Sequence, residues 1–557
     1  MQHIETVFEH TIQDLFGLEV KVVFTRPDEQ FGDLATNVAL HIAKQIGVSP
    51  REVATRITDA AKDALGADVS DITVAGPGFI NVTLSDNELL GRAQAAAAEK
   101  PQIYQDKLVV AEYSDPNPFK AFHAGHFYTT VVGDAIARLV QAAGAKVHRV
   151  NFGGDVGLHV GKAMWAIVGE DMQKALENLE VLAAQPLHDR ATWMAECYVK
   201  GNTAYDEDET AKAQIIGMNK KVYLIHEQDD HTSTLAKIYH TCRDWSYEYF
   251  DAFYQELGVD PFEKYYPESQ TTPVGLATVK EQLAQGVYKK SNGAIVFDGE
   301  QFGLHTRVFI NSEGLPTYEA KDVGLIMAKW HDYRFDLSLI ITGNDIVEYM
   351  KVVLKSVEQF MPELPPRTRH LTHGMLKLEG GAKMSSRKGN VLYANDILQA
   401  AETAAKGDKQ TAYAAVKYAL LKQRTGGDII YNPSESVALE GNSGPYVQYA
   451  HARARSILAK ANRSDPGDFI DFEPSERSLA RKITEYPTVL EKAVTELMPH
   501  HICTYLYELA QTFNRFYEQS RVIGDEREAL RLQLVHAYAD VLKDGLSMLH
   551  IPAPEHL

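Results

Sequence analysis

The chain has 557 residues, more than one hydrophobic core usually supports, so we expect three or four domains. Its formal net charge of -19 argues against indiscriminate binding of nucleic acid, since Lys and Arg supply most of that affinity, but it allows a specific RNA partner. The three cysteines lack the spacing of a zinc site or disulfide framework, and no stretch is apolar enough for export or for crossing a membrane, which indicates the reducing cytoplasm.

Residues 1–105 are predicted to form a separate small α/β domain. Helical periodicity covers residues 1–16, and a strand-like EVKVVFT precedes two further helices, one from about Asp33 to Ile46 and one over residues 50–65. The stretch ITVAGPGFINVTLS predicts two short strands around a Gly-Pro-Gly turn. Nothing in this part of the sequence indicates catalysis, and a packing domain is the simplest interpretation.

Residues 107–144 predict a strand, a fixed loop and a helix. Leu108–Ala111 is a short apolar run that indicates a buried parallel strand. The following loop carries Asp115 and Asn117 between prolines, which exclude a helix there. Apolar residues recur at helical spacing from about His123, and Gly144 provides the stop.

The start of this predicted helix is suited to hold phosphate. A helix that begins beyond the carboxyl end of a parallel strand directs free N–H groups and the positive end of its dipole at a ligand. His123 and His126 lie on one face of the first turn, Gly125 between them lets a flat ring approach the backbone, and Lys120 stands just before them. The two histidines are equally compatible with a metal site or with ordinary polar residues at a helix start.

The region 106–375 is predicted to be a doubly wound, parallel, Rossmann-type domain of the α/β class. Its predicted strands are 108–112, 146–152, 294–298, 307–311 and 337–342. A charged and aromatic helical insertion covers about 160–290, and we interpret it as core with a solvated face.

A helix predicted from PTYEAKD carries a second group of candidate binding residues. Pro316 suits the first turn, and Tyr318 and Asp322 fall on one helix face at i, i+4. On the pattern alone, a surface tyrosine and a solvated aspartate remain the alternative.

Residues 376–394 are predicted to form a basic loop. Lys383–Asn390 reads KMSSRKGN and follows Gly380 and Gly381, a composition suited to closing over phosphates and opening again.

Residues 395–557 are predicted to form an all-α bundle, interrupted by a Pro/Asp/Gly-rich surface loop at 462–476. The bundle carries a set of aromatic and basic residues that are ordinary core individually but as a set suit stacking of unpaired bases. These candidate RNA-binding residues, which the resemblance described below makes candidates for tRNA binding, are Tyr446, Tyr449, Arg453, Phe513 and Tyr517.

The motifs together resemble one family. HAGH after a first strand, with KMS about 260 residues later, is similar to the paired signature of class I aminoacyl-tRNA synthetases. YSDPNPFKAFHAGH, PTYEAKD, KMSSRKGN and LEGNSGPYVQYAHAR resemble arginyl-tRNA synthetases, as do the N-terminal strings QFGDLATNVALHIAK and AGPGFINVTL. The resemblance covers essentially the whole chain.

This resemblance implies an enzyme, a ligase that activates L-arginine with ATP and Mg²⁺ and then transfers arginine to tRNA(Arg). The implied catalytic residues are Lys120, His123, His126, Lys383 and Lys388. The implied ATP-binding residues are His123, Gly125, His126, Met384 and Ser385. The implied arginine-binding residues are Asp115, Asn117, His126, Tyr318 and Asp322.

The resemblance also implies the roles of the flanking domains. The N-terminal domain would contact the corner of the tRNA, and the helical bundle would bind the anticodon. The family typically needs bound tRNA before it activates arginine. We expect a monomer with no metal site of its own and with neither DNA nor membrane as a partner.

Two positions depart from the family pattern. Ile346 stands where many relatives have a polar residue, and Ser386 replaces the second lysine of the common KMSKS form, so that Lys120 or Lys388 would compensate. A small-molecule nucleotidyltransferase and a non-catalytic tRNA-binding paralogue are the alternative functions.

Overall fold

The computed structural model describes residues 2–379, 392–461 and 471–556. Most of the predicted basic loop lies outside these ranges, with Gly380, Gly381, Lys383, Met384, Ser385, Ser386, Lys388 and Asn390, and so do residues 462–470 of the predicted surface loop. Within the described ranges no helix is long and apolar enough to cross a membrane.

The N-terminal region is a small α/β unit. Its elements are α1 Gln2–Phe16, β1 Leu34–Thr36, α2 Val38–Ile46, α3 Pro50–Leu65, β2 Val69–Ala75, β3 Phe79–Leu84 and α4 Asp86–Ala95. The strands form an antiparallel sheet in the order β1-β3-β2. The two strands predicted around the Gly-Pro-Gly turn are confirmed as β2 and β3.

Two expectations for this unit are wrong. EVKVVFT contributes Val22 and Phe24 to the core, but only a single bridge from Thr25 to Ala35 joins it to the sheet, so its alternation reflects burial without a strand ladder. The helix predicted from Asp33 begins later, at Val38, because the preceding residues pair with β3.

The middle region alternates strands and helices. Its elements are β4 Leu108–Glu112, α5 Ala124–Ala142, β5 Lys146–Gly153, α6 Leu158–Val168, α7 Met172–Ala183, α8 Leu187–Glu207, α9 Glu209–Glu227, α10 Thr234–Leu257, β6 Lys264–Pro267, α11 Glu268–Ala284, β7 Lys289–Ser291, β8 Ala294–Phe297, β9 Arg307–Ile310, α12 Tyr318–Tyr333, β10 Leu337–Gly343, α13 Val347–Glu358 and β11 Thr368–His373. Five of the strands form one parallel sheet in the order β11-β10-β4-β5-β6. The predicted doubly wound fold is confirmed.

The assignment of strands to that sheet needs a correction. The strands predicted at 294–298 and 307–311 lie in a separate antiparallel sheet, because the connection between them is too short for a parallel crossover. Their places are taken by the edge strands β6 and β11. Both are short and polar, and β6 ends in Pro267, so neither has the apolar run that marks a central strand.

The insertion has a core of its own, as interpreted from the sequence. Helices α6 to α10 enclose a cluster that includes Met164, Val222 and Tyr239. Phe119, from the loop after β4, is fully buried in this cluster and stacks on Tyr239 at 5.6 Å. The insertion is therefore anchored directly to the loop that precedes α5.

The C-terminal region is helical apart from one short strand pair. Its elements are β12 Leu376–Leu378, α14 Ala394–Ala404, α15 Lys409–Leu421, β13 Ile429–Tyr431, α16 Pro433–Ser436, α17 Gly444–Lys460, α18 Pro474–Ile483, α19 Tyr486–Glu496, α20 His500–Gln519 and α21 Glu528–Met548. The bundle contacts both other regions: Nη2 of Arg477 lies 2.6 Å from a carboxylate oxygen of Asp33, and Nδ1 of His550 lies 2.7 Å from one of Asp134 on α5.

Helices α11 and α12 cross at very short range through glycines. A Cβ atom added at Gly275 would lie 1.9 Å from the carbonyl oxygen of Ala320, and one added at Gly324 would lie 2.1 Å from that of Thr271. Both obstacles are backbone atoms of the facing helix. The crossing therefore tolerates no side chain on either glycine, and it sets the position of α12 in the domain.

We expect Gly324→Ala to lower the free energy of unfolding by about 2 kcal/mol, because the added methyl group must push the two helices apart. Urea unfolding of the purified variant measures this. Gly217→Ala is the matched control, since Gly217 lies within α9 and has no atom within 4 Å of an added Cβ. It should be neutral or stabilising by about 0.5 kcal/mol. Equal effects of the two substitutions would contradict the tight crossing.

Candidate active site

The candidate site lies where the connections from the sheet change direction. Strand β4 leads through α5 to β5 on one side, while β10 pairs with the other side of β4. Ligands of open parallel sheets bind outside the carboxyl ends of the strands at such a point. Here that edge is lined by the loop after β4, the start of α5, the start of α12 and the start of α13.

The loop after β4 is held in an unusual conformation. Ser114 and Asp115 both have left-handed backbone angles, with φ of 77° and 52°. Oδ1 of Asp115 accepts the N–H of Phe152, and Oδ1 of Asn117 accepts the N–H of Gly154, both at 2.8 Å. Two side chains predicted to bind arginine are therefore tied to the end of β5 through one oxygen each. Non-glycine residues held in this backbone region concentrate at functional sites.

His123 caps the helix that carries the paired histidines. Its Nδ1 accepts the backbone N–H of Gly125 at 3.1 Å and that of His126 at 3.4 Å. Because Nδ1 is an acceptor, a neutral His123 carries its proton on Nε2 and presents an N–H donor there. The rings of His123 and His126 stack with centroids 3.5 Å apart. The predicted helix start is confirmed, with His123 as its N-cap.

Gly125 is required by this capping arrangement. A Cβ atom at Gly125 would lie 2.9 Å from Cε1 of His123. We expected the glycine to admit a flat ring, and in the structure the ring against it is the imidazole of His123.

The histidines act as neutral groups at this site. Burial, reinforced by the positive charge of Lys120, lowers the pKa of His123 from 6.5 to about 4. Burial and His123 hold the pKa of His126 well below its usual value, and its Nδ1 has no hydrogen-bond partner among the described residues. The formal positive charge is supplied by Lys120, whose Nζ lies 5.0 Å from the ring centroid of Tyr198. Burial and Lys162 lower the pKa of Lys120 as well.

Acidic side chains gather at the start of α12. Burial, then Glu112 and Glu268, raises the pKa of Asp322 well above its ordinary value. Burial and Glu112 do the same to Asp115. Nζ of Lys321 lies 2.6 Å from Oε2 of Glu268 in a largely buried ion pair. Such a group of carboxylates favours a cationic ligand, because a positive charge stabilises their ionised forms.

Two residues of this pocket were missed in the sequence. Glu268 opens α11, and a Cβ atom on Gly154 would lie 2.8 Å from Oδ1 of Asn117 and 3.3 Å from Cδ of Glu268, so these two side chains flank the same glycine. The hydroxyl group of Tyr349, on α13, donates to Oδ2 of Asp322. Neither residue belongs to a motif used above, and only the tertiary fold brings them to the site.

Tyr318, which was predicted to bind a ligand together with Asp322, is largely exposed to solvent. Tyr318 is 70% exposed at the start of α12, and its ring centroid lies 5.2 Å from Nζ of Lys321. Ile346 packs against the apolar cluster beneath α12 and α13, so the departure noted in the sequence places an apolar side chain there.

Residues 392–394, at the end of the predicted basic loop, contact the start of the helix that carries the two histidines. The carbonyl oxygen of Leu392 accepts the N–H of Ala124 at 2.8 Å, and the N–H of Ala394 donates to the carbonyl oxygen of Phe122 at 3.0 Å. Tyr393 forms a bridge with His123 between these contacts. The chain leaving residues 380–391 is therefore fixed to the first turn of α5.

A large cleft separates this turn from the insertion. It has a volume of about 1430 Å³ and is lined by residues of α8 together with the start of α5. Its wall includes Lys120, His123, Trp193, Tyr198 and Tyr393. Aromatic faces beside a cation are suited to a nucleotide.

The five candidate tRNA-binding residues differ in exposure. Tyr449 and Tyr517 are 42% and 38% exposed and flank the guanidinium of Arg453, at 5.7 and 5.0 Å from their ring centroids. The hydroxyl oxygen of half-buried Tyr446 accepts from Asn514 at 3.0 Å. Phe513 is fully buried and stacks on Tyr538 at 3.9 Å, so it belongs to the core and offers no face to a base.

One acidic group in the described residues has the geometry of a metal site. Asp134, Asp260 and His550 bring ligand atoms within 4.8 Å of one another. However, Asp260 is paired with Arg138 at 3.0 Å and with Arg149 at 2.8 Å. The positive charge that a metal would supply is already present, and the group joins α5 to the bundle.

Comparison with known families identifies the class. A family model described as tRNA synthetases class I (R), catalytic domain, matches residues 89–425, more than half of the chain. Models described as Arginyl tRNA synthetase N terminal domain and DALR anticodon binding domain match residues 2–84 and 447–557. The parallel sheet and its histidine-bearing helix are thus those of a class I tRNA synthetase. Within that class, the chain belongs to the arginyl-tRNA synthetase family.

Similarity to individual proteins extends over the full length. The arginine–tRNA ligase of Bdellovibrio bacteriovorus is 29% identical over 569 residues, covering 96% of this chain and 94% of that protein. That of Flavobacterium psychrophilum is 27% identical over 595 residues, covering 98% of each. The structure of Thermus thermophilus arginyl-tRNA synthetase superposes with a TM-score of 0.80 at 22% identity and 100% coverage of both chains, which shows a shared fold.

We expect His123 to make the stability of the enzyme depend on pH. The unfolded chain takes up a proton near pH 6.5, but the folded protein resists protonation until about pH 4, so stability is lost as the pH falls between these values. His123→Asn keeps a capping oxygen but cannot titrate. Between pH 7.5 and 5, urea unfolding should show the variant losing about 1 to 2 kcal/mol less than the parent. Equal losses would show that His123 titrates normally in the folded state.

Proposed function

We propose that this arginyl-tRNA synthetase family member activates L-arginine with ATP and transfers arginine to tRNA(Arg), using the groups described above. The observation that carries the proposal is the placing of a cation pocket and a phosphate-binding helix start at one edge of one sheet. The loop from Asp115 to Lys120 joins the two, since it forms part of the pocket and leads directly to His123.

In the first step the arginine carboxylate attacks the α-phosphate of ATP and pyrophosphate leaves. Nε2–H of His123, the positive end of the dipole of α5 and the ammonium group of Lys120 stabilise negative charge that develops on phosphate oxygens. Mg²⁺ accompanies the ATP, and Lys383 with its loop holds the pyrophosphate, with Lys120 or Lys388 compensating for Ser386. Catalysis here rests on positioning and charge stabilisation.

The amino-acid pocket holds the guanidinium of arginine. The carboxylates of Asp322 and Asp115, which have no ammonium partner in the described residues, supply negative charge, and Asn117 and Tyr318 supply further oxygens. A guanidinium is planar and offers a fork of donors, whereas the ammonium group of lysine is compact and leaves buried acceptors unpaired. The pocket therefore rejects lysine without a separate editing site.

In the second step a hydroxyl of the terminal ribose of the tRNA attacks the arginyl carbonyl and AMP leaves. The cleft between α8 and the start of α5 accommodates the terminal nucleotide, with Tyr198 and Trp193 as stacking surfaces. The N-terminal unit contacts the corner of the tRNA, and Tyr449, Arg453 and Tyr517 contact the anticodon. The protein works as a monomer in the cytoplasm.

The decisive test is arginine-dependent exchange of pyrophosphate into ATP, with and without tRNA(Arg). We expect exchange with arginine and tRNA, and none with lysine. Asp322→Asn should raise the KM for arginine by about 100-fold and leave that for ATP within about twofold, because a charge-assisted contact to the guanidinium is lost. Equal effects on both KM values would place arginine elsewhere. No exchange together with tight tRNA binding would favour a non-catalytic paralogue.

The anticodon assignment has its own test. We expect Tyr449→Ala to raise the KM for tRNA(Arg) by about tenfold, because one base loses its stacking surface. The rate of exchange at saturating tRNA should stay unchanged. Phe302→Ala is the control, since Phe302 is an aromatic residue of the catalytic region with 38% exposure, close to that of Tyr449 at 42%. A similar KM for both variants would remove Tyr449 from the tRNA interface.

A further inference from the structure

Asp322 has a hydrogen-bond partner that the family motifs do not include. Asp322 lies in the second turn of α12, and Tyr349 lies in the first turn of α13, which follows β10 in the chain. The hydroxyl of Tyr349 donates to Oδ2 of Asp322. Both side chains are partly buried.

This contact determines how Asp322 is presented. A carboxylate turns freely about its last bond and has two acceptor oxygens. With Tyr349 bonded to one lone pair of Oδ2, the plane of the group is restrained, while Oδ1 and the other lone pair of Oδ2 remain available for a ligand. A guanidinium needs a carboxylate in a defined plane to form paired, coplanar hydrogen bonds, whereas an ammonium group accepts any orientation.

The ring of Tyr349 is itself held in place. The guanidinium of Arg307 lies 5.7 Å from its ring centroid, and Nη1 of Arg307 donates to Oε1 of Glu319 on α12 at 3.2 Å. Arg307 thus connects α12 with the ring of Tyr349. Ile346, three residues earlier, offers no polar side-chain atom. Among the described residues, the hydroxyl of Tyr349 is therefore the polar group that the start of α13 directs at Asp322.

We infer that Tyr349 is a positioning residue that fixes the carboxylate of Asp322 for bidentate binding of a guanidinium, and so favours arginine over lysine. The inference rests on the proposed arginine pocket and deepens it. Tyr349 need not touch the substrate, since it acts through Asp322.

The test is Tyr349→Phe, which removes the hydroxyl and keeps the ring. We expect the KM for arginine in ATP–pyrophosphate exchange to rise about tenfold, because the freed carboxylate must be ordered by the substrate. The KM for ATP and kcat should stay within about twofold. Lysine, tested as a competitive inhibitor, should keep its inhibition constant, so the preference for arginine over lysine falls by the same factor.

Tyr288→Phe is the matched control. It also removes a tyrosine hydroxyl that bonds to α13, at Ser356 Oγ over 3.1 Å, but in the core away from the pocket. If Tyr349 is purely structural, Tyr349→Phe should lower thermal stability, as the control does, and leave the ratio of the KM for arginine to the inhibition constant for lysine unchanged. That result would overturn the inference. Parallel rises in the KM for arginine and for ATP would do the same. Absence of arginine-dependent exchange in the parent enzyme would refute the proposed function instead.

If Tyr349→Phe does not fold, Arg307→Lys supplies the second variant, because it loosens the ring of Tyr349 without touching Asp322. A smaller rise in the KM for arginine, of about threefold, with unchanged inhibition by lysine supports the inference. An unchanged KM for arginine overturns it.

Discussion

The contacts of helix α5 with the chain before α14 and with the C-terminal bundle constrain the rest of the structure. Its first turn carries the two histidines and is hydrogen-bonded to the residues at the end of the predicted basic loop. Further along, Asp134 accepts from His550, and Arg138 donates to the carbonyl oxygen of Ser547 at 2.8 Å. One buried helix therefore connects the two histidines at its start with the C-terminal bundle along its length.

The amino-acid pocket illustrates how the fold handles crowded negative charge. Glu112 is paired with buried Lys329, and Glu268 is paired with Lys321. Asp115 and Asp322 have no such ammonium partner in the described residues, and their pKa values are raised. A cationic ligand would supply the missing charge and favour their ionised forms. The protein thus neutralises this group of carboxylates only in part, and the remaining negative charge would suit the guanidinium of the proposed substrate.

The sequence predicted the local parts of this site well and the tertiary parts poorly. The strand, loop and helix around His123 were correct because each depends on neighbouring residues, namely an apolar run, two prolines and a capping side chain. Glu268 and Tyr349 were missed because they reach the pocket from segments far away in sequence. The edge strands were missed for a related reason: with one side unpaired, they lack the apolar pattern of central strands. Phe513 was misjudged because helical spacing does not show which face of a bundle helix is covered.

The helical insertion has a larger part in the site than its sequence suggested. Its composition predicted only a core and a solvated face, and it does have its own core. Yet α8 also places the ring of Tyr198 beneath the ammonium group of Lys120, and Lys162 on α6 lies near enough to lower the pKa of that group. Lys120 carries the formal positive charge beside two neutral histidines. The insertion therefore contributes to the position and to the lowered pKa of Lys120, the charged group that precedes the first turn of α5.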